Sequence, residues 1–255
     1  MPGPVQSIER AAAILRLLAS RSGRLGLSDV ASSLGLARGT AHGILRTLQL
    51  VGFVEQDKES GKYQLGAALL HLGTSYLDVN ELRSRAINWA DPLAARSGEA
   101  VRLGTLLERQ VLVVHHVFRP DDTLQVLEVG TLLPAHASAL GKVLLAFDSQ
   151  AAAAVIQAGL DRYTRRTVGT AKDLNLALVR VRENGWGAEL EELHPGEAGV
   201  AAPIRGYGGL VVGAIGITGP VERVCDGGGE PRVALVGYVR NAARAVSRDL
   251  GAARW

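Results

Sequence analysis

The sequence predicts an α+β protein in two parts: an N-terminal winged helix-turn-helix over residues 4–66 and a C-terminal domain of antiparallel sheet with flanking helices over 81–253, joined by a linker helix over 67–80. Three observations predict it. Leu27 to Val51 reads as two short helices broken at Gly35. Two strand-like runs around a glycine-containing turn follow directly. From Ala100 the apolar period drops from that of a helix to two, and strand-like runs then alternate with helical ones.

Ser7-Ile8-Glu9-Arg10 opens a first helix with Ile8, Ala11, Ala12, Leu15 and Leu18 on one side, and Arg21-Ser22-Gly23 ends it. In the helix-turn-helix, about residues 27–46, Ser28 is the expected N-cap. Val30, Ala31 and Leu34 form a short apolar stripe, and Gly35 stands where the turn needs a left-handed residue. The second helix, from Ala37, carries Ala41, Ile44, Leu45 and Leu48 at i, i+3, i+4 and i+7, one face of a helix. Opposite them lie Gly39, His42, Gly43 and Arg46. An interior glycine costs about 1 kcal/mol relative to alanine, so two on one exposed face point to close approach of a partner. A DNA major groove is such a partner, with Arg38, Thr40, His42 and Arg46 reaching bases and phosphates. A merely solvated face on a small helical bundle is the competing reading. Phe53-Val54-Glu55-Gln56 and Tyr63-Gln64-Leu65 then flank Asp57 to Lys62 as a wing, with Lys58 and Lys62 near its tip.

Ala67 to Val79 is helix-like, with Leu69, Leu70, Leu72 and Leu77 apolar. A second run, Leu82 to Arg96, places Leu82, Ala86, Trp89, Ala90 and Leu93 at helical spacing, and Trp89 reads as packing rather than a ligand platform. Val101, Leu103, Thr105 and Leu107 alternate, a Glu108-Arg109-Gln110 turn follows, and Val111-Leu112-Val113-Val114 returns as a hairpin. Further strands are expected at Leu124 to Val129, Trp186 to Glu189, Gly199 to Ile204 and Leu210 to Thr218. Helices are expected at Ala139 to Phe147, Gln150 to Ala158, Leu174 to Asn184 and Pro231 to Leu250, the last behind a flexible Gly227-Gly228-Gly229 joint.

Ser7-Ile8-Glu9-Arg10-Ala11, Gly52-Phe53-Val54-Glu55-Gln56 and Gly61-Lys62-Tyr63-Gln64-Leu65-Gly66, with the two helices between them, resemble the winged helix of IclR-type transcriptional regulators. Leu133-Pro134-Ala135-His136-Ala137-Ser138-Ala139-Leu140-Gly141-Lys142 and Gly196-Glu197-Ala198-Gly199-Val200-Ala201-Ala202-Pro203 resemble the blocks that mark that family's effector-binding domain, so the likeness covers nearly the whole chain. Leu25 to Asp29, Gly39 to Leu45, His115 to Asp122 and Ala245 to Ala252 are similar to the branch of the family that governs glycerol operons in actinomycetes.

The resemblance implies a GAF/PAS-like C-terminal domain, an operator of double-stranded DNA bound by a homodimer or dimer of dimers, and repression relieved by a small metabolite, glycerol 3-phosphate or glycerol. It implies that Arg10 lies against the phosphate backbone and that Ser28 joins the DNA contacts. It implies a pocket lined by Ala139, Leu140, Glu189, Gly199, Gly216 and Thr218. The family often has Cys where Gly199 stands and Asp where Glu189 stands, so this pocket should be roomier at one wall and longer-armed at another. A phosphate would need a cationic or amide-rich seat, for which the N-terminus of the helix opened by Ala139 to Lys142 is a candidate, with Glu189 at the hydroxyl end.

At 255 residues, 47% hydrophobic and 21% charged, the composition is globular and large enough for two ordinary domains. Lone Cys225 excludes an internal disulfide, no apolar run reaches membrane-spanning length, and Met1-Pro2-Gly3-Pro4 lacks signal-peptide character, so a soluble, cytoplasmic protein is expected. The net charge is +3, and all of it is N-terminal: residues 1–66 hold eight Lys and Arg against five Asp and Glu, whereas residues 67–255 hold twenty of each.

Catalysis is the competing class. GxSxG is missing, His115-His116 lacks the spacing of a helical zinc site, and Gly141-Lys142 has His136 and Val143 where a phosphate loop needs Gly and Ser or Thr. A Ser138, His136, Glu189 hydrolytic set is left as the alternative, with the winged helix then serving protein contacts. No catalytic residue, metal or cofactor is expected.

Overall fold

The computed structural model describes residues 3–20, 24–79 and 81–252. The expected helix stop at Arg21-Ser22-Gly23 lies outside these, as do the linker's last residue, Asn80, the last residue assigned to the C-terminal domain, Ala253, and the side chain of Leu77. The chain divides into two units, Met1–Val79 and Asn80–Trp255.

The first unit runs α1 (Gln6–Ser20), α2 (Leu27–Ser33), α3 (Arg38–Leu50), β1 (Val54–Gln56), β2 (Tyr63–Leu65) and α4 (Ala67–Val79). Ile14, Leu18, Leu25, Val30, Leu45, Leu48, Val54 and Tyr63 form its core. The buried side of α1 is centred on Ile14 and Leu18, and Ile8, expected on that side, is 67% exposed. Ile8 continues the stripe one turn beyond the end of this small core. Gly35 has φ +60°, as the turn between α2 and α3 requires. The cap of α2 differs from expectation. Gly26 is the N-cap, its N–H donates to the Asp29 carboxylate at 3.0 Å, and Ser28 sits exposed inside the first turn. Asp29, three residues into the helix, reaches back to the free amide that Ser28 cannot face. β1 and β2 pair antiparallel, Val54 opposite Leu65, and Leu25 bonds Tyr63 in both directions at 2.7 and 3.0 Å, so the wing is tied to the strand-like entry of α2.

The second unit begins with α5 (Glu81–Ser97), then β3 (Ala100–Leu107), β4 (Gln110–Val117), β5 (Leu132–Pro134), α6 (Ala139–Ala146), α7 (Ser149–Ala158) and α8 (Ala171–Asn184). It ends with β6 (Gly187–Leu190), β7 (Glu197–Arg205), β8 (Val211–Pro220), the short α9 (Val221–Val224) and α10 (Val233–Asp249). The sheet has six strands in the order β5-β4-β3-β8-β7-β6, each paired antiparallel. Directly opposed residues share a face, so the register divides the sheet. Val101, Leu103, Ile215, Ile217, Val200 and Ala202 form one face, against which α5 and α10 pack. Arg102, Gly104, Gly216, Thr218, Ala201 and Gly199 belong to the other, under α6. Both faces are covered, and Leu107, expected to follow the inward alternation, reaches the hairpin tip 47% exposed. Val113 and Val114 are both buried because both faces of the sheet are covered, and the pairing shifts between Leu103 and Gly104, a bulge that leaves Val114 with no directly opposed residue on β3. Trp89 is half-buried and donates its indole N–H to Asp249 at 2.7 Å, fastening α5 to α10.

Two further expectations fail. Leu124 to Val129 is not a strand but part of an irregular segment between β4 and β5, with Leu124 99%, Val126 77% and Leu127 61% exposed. The apolar residues that read as strand have no ladder partner, and the edge is taken by β5, three residues long. Nor is Gly227-Gly228-Gly229 a loose joint. Asp226 accepts from Gly228 N and Glu230 N at 2.9 and 3.1 Å, and Cys225 bridges Pro231, so the glycines make a tight turn. Among the described residues no helix is long and apolar enough to cross a membrane.

Candidate functional site

The sequence points to two functional surfaces, one in each unit. In the first, α3 buries Ala41, Leu45 and Leu48 and turns Arg38, Gly39, His42, Gly43 and Arg46 outward, with Thr40 half-buried beside them. A Cβ built at Gly39 or at Gly43 would meet nothing within 4 Å. Neither glycine is needed for packing within the unit, and at Gly43, inside the helix, the chain gives up roughly 1 kcal/mol for a reason outside that packing. Lys58 and Lys62 are exposed on the wing. The wing tip is braced: Asp57 pairs with Arg24, and accepts from the Ser60 hydroxyl and N–H at 2.7 and 2.8 Å. The Ser60 hydroxyl, then its amide, hold the Asp57 carboxyl below its ordinary range despite some desolvation. Arg24 also donates to Gln64 at 2.8 Å, crossing from the entry of α2 to β2. Arg10 is half-buried on α1 and Ser28 exposed on α2.

In the second unit the residues expected at the pocket come from four separate stretches, and the fold brings all six together. Ala139, Leu140, Glu189, Gly199, Gly216 and Thr218 line one cavity. The floor is sheet: Glu189 opposes Gly199, Gly199 opposes Thr218, and Gly216 lies between Ala201 and Arg102. The roof is the N-terminus of α6. Ser138 caps it, accepting from Gly141 N at 3.2 Å and donating to the Pro134 carbonyl at 2.9 Å. Glycine is required in the floor, since a Cβ at Gly216 would stand 2.5 Å from the Val200 carbonyl oxygen.

The cavity is small even with Gly199 in its wall. It holds about 20 Å³, space for one water. A Cβ at Gly199 would fall 3.4 Å from Glu189 Oε1, so the longer acid fills the room that the missing side chain leaves. Glu189 is 7% exposed and accepts from Glu192 N at 3.1 Å. Burial pushes its carboxyl up to about 7, with the Glu192 amide opposing and the Glu192 charge reinforcing the rise. Lys142, 3% exposed on α6, pairs with Glu192 and donates to the Ala188 carbonyl at 3.2 Å, so its charge is spent on holding β6 to α6. Thr218 donates to the Ala198 carbonyl at 3.4 Å, a long bond that leaves its oxygen free to accept.

Arg102, Glu197, Ser138 and Leu193 also line the cavity, and sequence reading missed them. Arg102 had a signal: a cation midway along an otherwise apolar strand, between Val101 and Leu103. The hydrolytic set is not assembled. His136 bonds the Asp161 carbonyl through Nε2 at 2.9 Å, and Ser138 serves as the helix cap. Among the described residues no group of three His, Cys, Asp or Glu could hold a metal.

Comparison with known proteins bears on both surfaces. Residues 7–58 match the model of the IclR helix-turn-helix domain, and residues 74–248 match that of the bacterial transcriptional regulator IclR C-terminal domain. A curated relative, the glycerol operon regulatory protein of Streptomyces coelicolor, is 59% identical over 251 residues, 98% of each chain. The protein of the same name from Streptomyces griseus is 57% identical over the same share. Among solved structures, an IclR transcriptional regulator from Alicyclobacillus acidocaldarius superposes with a TM-score of 0.82 at 28% identity, covering 96% of this chain and 99% of that one.

Proposed function

The chain belongs to the IclR family of bacterial transcriptional regulators, and from that premise we propose that it regulates a glycerol-utilisation operon, as a repressor released by a small metabolite. The observation that carries the glycerol assignment is 59% identity along 98% of the chain to a Streptomyces glycerol operon regulatory protein. In this reading α3 enters the major groove, with Arg38, Thr40, His42 and Arg46 as the side chains that reach bases and backbone. Gly39 and Gly43 allow the helix axis to lie deep. Arg10, Ser28, Lys58 and Lys62 hold phosphates and set the register. A homodimer or a dimer of dimers reads a two-fold related operator.

The effector, glycerol 3-phosphate or glycerol, occupies the cavity over Gly199 and Gly216, where Glu189 and Thr218 supply acceptors for its hydroxyl groups. Because the cavity is nearly filled in the free protein, binding requires the roof or the flanking segments to shift, and that shift is the change the DNA-binding unit senses. Coupling of this kind is typically about 1–3 kcal/mol, a change in operator affinity of about 5- to 150-fold.

The test is a mobility-shift titration of the full chain on the DNA upstream of the operon it regulates, with and without each metabolite. Specific retardation weakened by one of them is expected, and Glu189→Ala should keep operator affinity within about twofold while losing the response. Retardation that neither metabolite changes would remove both as inducers.

A further inference from the structure

The cavity has an outer chamber. Arg102, Glu197 and Thr218 line both the cavity and an open groove of about 410 Å³, whose far wall is the irregular segment between β4 and β5. A ligand entering by the groove passes these three side chains. Arg102 is the one cation among the described residues lining the cavity, which otherwise presents two acids, Glu189 and Glu197. Its side chain is 15% exposed, on the sheet face that includes Gly216 and Thr218. Taken alone, a guanidinium so placed would be costly, and it is clamped by Glu128, which accepts from Nη2 at 2.7 Å and also pairs with Nε.

Glu128 belongs to the segment that has no strand pairing through its middle. Gln125 bonds the Arg119 backbone at 2.7 and 2.9 Å, and the Glu128 N–H donates to His116 Nδ1 at 3.3 Å. The segment's apolar residues, Leu124, Val126 and Leu127, are outside. Moving Glu128 therefore uncovers little apolar surface, and the ion pair with Arg102 is the main attraction to be replaced.

We propose that Arg102 is the seat for an anionic group of the effector, and that Glu128 is the resting counter-ion which the ligand displaces as it enters. The proposal rests on reading the cavity as the effector site and narrows the ligand class to a polyol bearing a phosphate or carboxylate. Its orientation follows from the sheet. Glu189 on β6 and Arg102 on β3 are three strand spacings apart and offset by two residues along the strands, about 16 Å at the backbone, with Gly199 and Gly216 bare between them. The anion sits at Arg102, away from the carboxylate that would repel it, and the hydroxyls point towards Thr218 and Glu189. A planar guanidinium can bind either anion through two parallel hydrogen bonds, of which Glu128 takes one, from Nη2, beside a close ion pair at Nε. Displaced Glu128 releases the middle of the segment, so occupancy is converted into movement of a surface element.

Calorimetric titration of the full-length protein with glycerol 3-phosphate, glycerate and glycerol tests this. Wild type should bind at least one of the two anions about tenfold or more tighter than glycerol. Arg102→Gln should remove that preference, and Glu128→Gln should tighten the anion by severalfold because the internal competitor is gone. The double variant Arg102→Gln, Glu128→Gln leaves no charge without a partner and should behave as Arg102→Gln does, which separates loss of the seat from misfolding. Anion affinity unchanged in Arg102→Gln, yet lost in Glu189→Ala, would overturn the anion seat and leave the cavity as the effector site. Wild type that binds glycerol alone would do the same, and binding of none of the three would overturn both.

Discussion

Replacing Glu189 by Gln removes one ionisation from the cavity while keeping a carbonyl oxygen to accept the Glu192 N–H. In the fold this carboxyl titrates at about 7, against an ordinary 4.5. For an acid whose folded value is raised, the stabilisation is complete below pH 4.5, is lost progressively as pH rises towards 7, and changes no further above it. Between pH 5.5 and pH 8 the wild-type C-terminal unit should therefore lose roughly 2 kcal/mol that Glu189→Gln does not lose. For a unit of this size that is about 4–8 °C in Tm. Half-buried His115 and buried His116 have lowered values, chiefly from desolvation, and so act in the opposite sense, their contribution growing as pH rises. They are present in both proteins and cancel in the difference. Thermal unfolding followed by circular dichroism at several pH values in matched ionic strength is the assay. Parallel Tm profiles for the two proteins would refute the argument, because they would mean that Glu189 is as easily ionised in the fold as in the unfolded chain.

Gly43→Leu should leave the first unit folded, since Gly43 is exposed and a Cβ there meets nothing within 4 Å, yet abolish specific operator protection in a footprint by excluding α3 from the groove; unchanged protection would sink the groove assignment. Replacing Lys58 and Lys62 by Ala should weaken operator and random DNA alike and lower the magnitude of the slope of log K against log salt by about 1.8, and a loss confined to the operator would show that they read bases instead.

The helix-turn-helix was legible because its information is local. Gly35 between two short apolar stripes, the Ala41 to Leu48 periodicity and the two glycines opposite it all lie within a couple of dozen consecutive residues, and a helix wheel converts such spacing into a face without further knowledge. The six expected pocket positions came from a likeness to family blocks, and the register shows why the strand positions share a floor: Glu189, Gly199 and Thr218 stand directly opposite one another across β6, β7 and β8. Leu124 to Val129 was misread because an apolar alternating run states only that a strand is possible. Whether it becomes one depends on a neighbour with free backbone groups, and β5 takes that edge.

The sequence by itself determined the two-part organisation, the second helix of the helix-turn-helix with its bare face, the wing and the alternation of the sheet, since each is written in spacings shorter than one or two elements. Tertiary structure alone decided that Glu189 fills the space Gly199 vacates, that Lys142 is spent on Glu192, and that Arg102 faces the cavity with Glu128 across it. These are relations between residues 10 to 50 positions apart in the chain. Their energies depend on separation and burial, quantities that a linear order of residues does not contain until strand pairing brings them together.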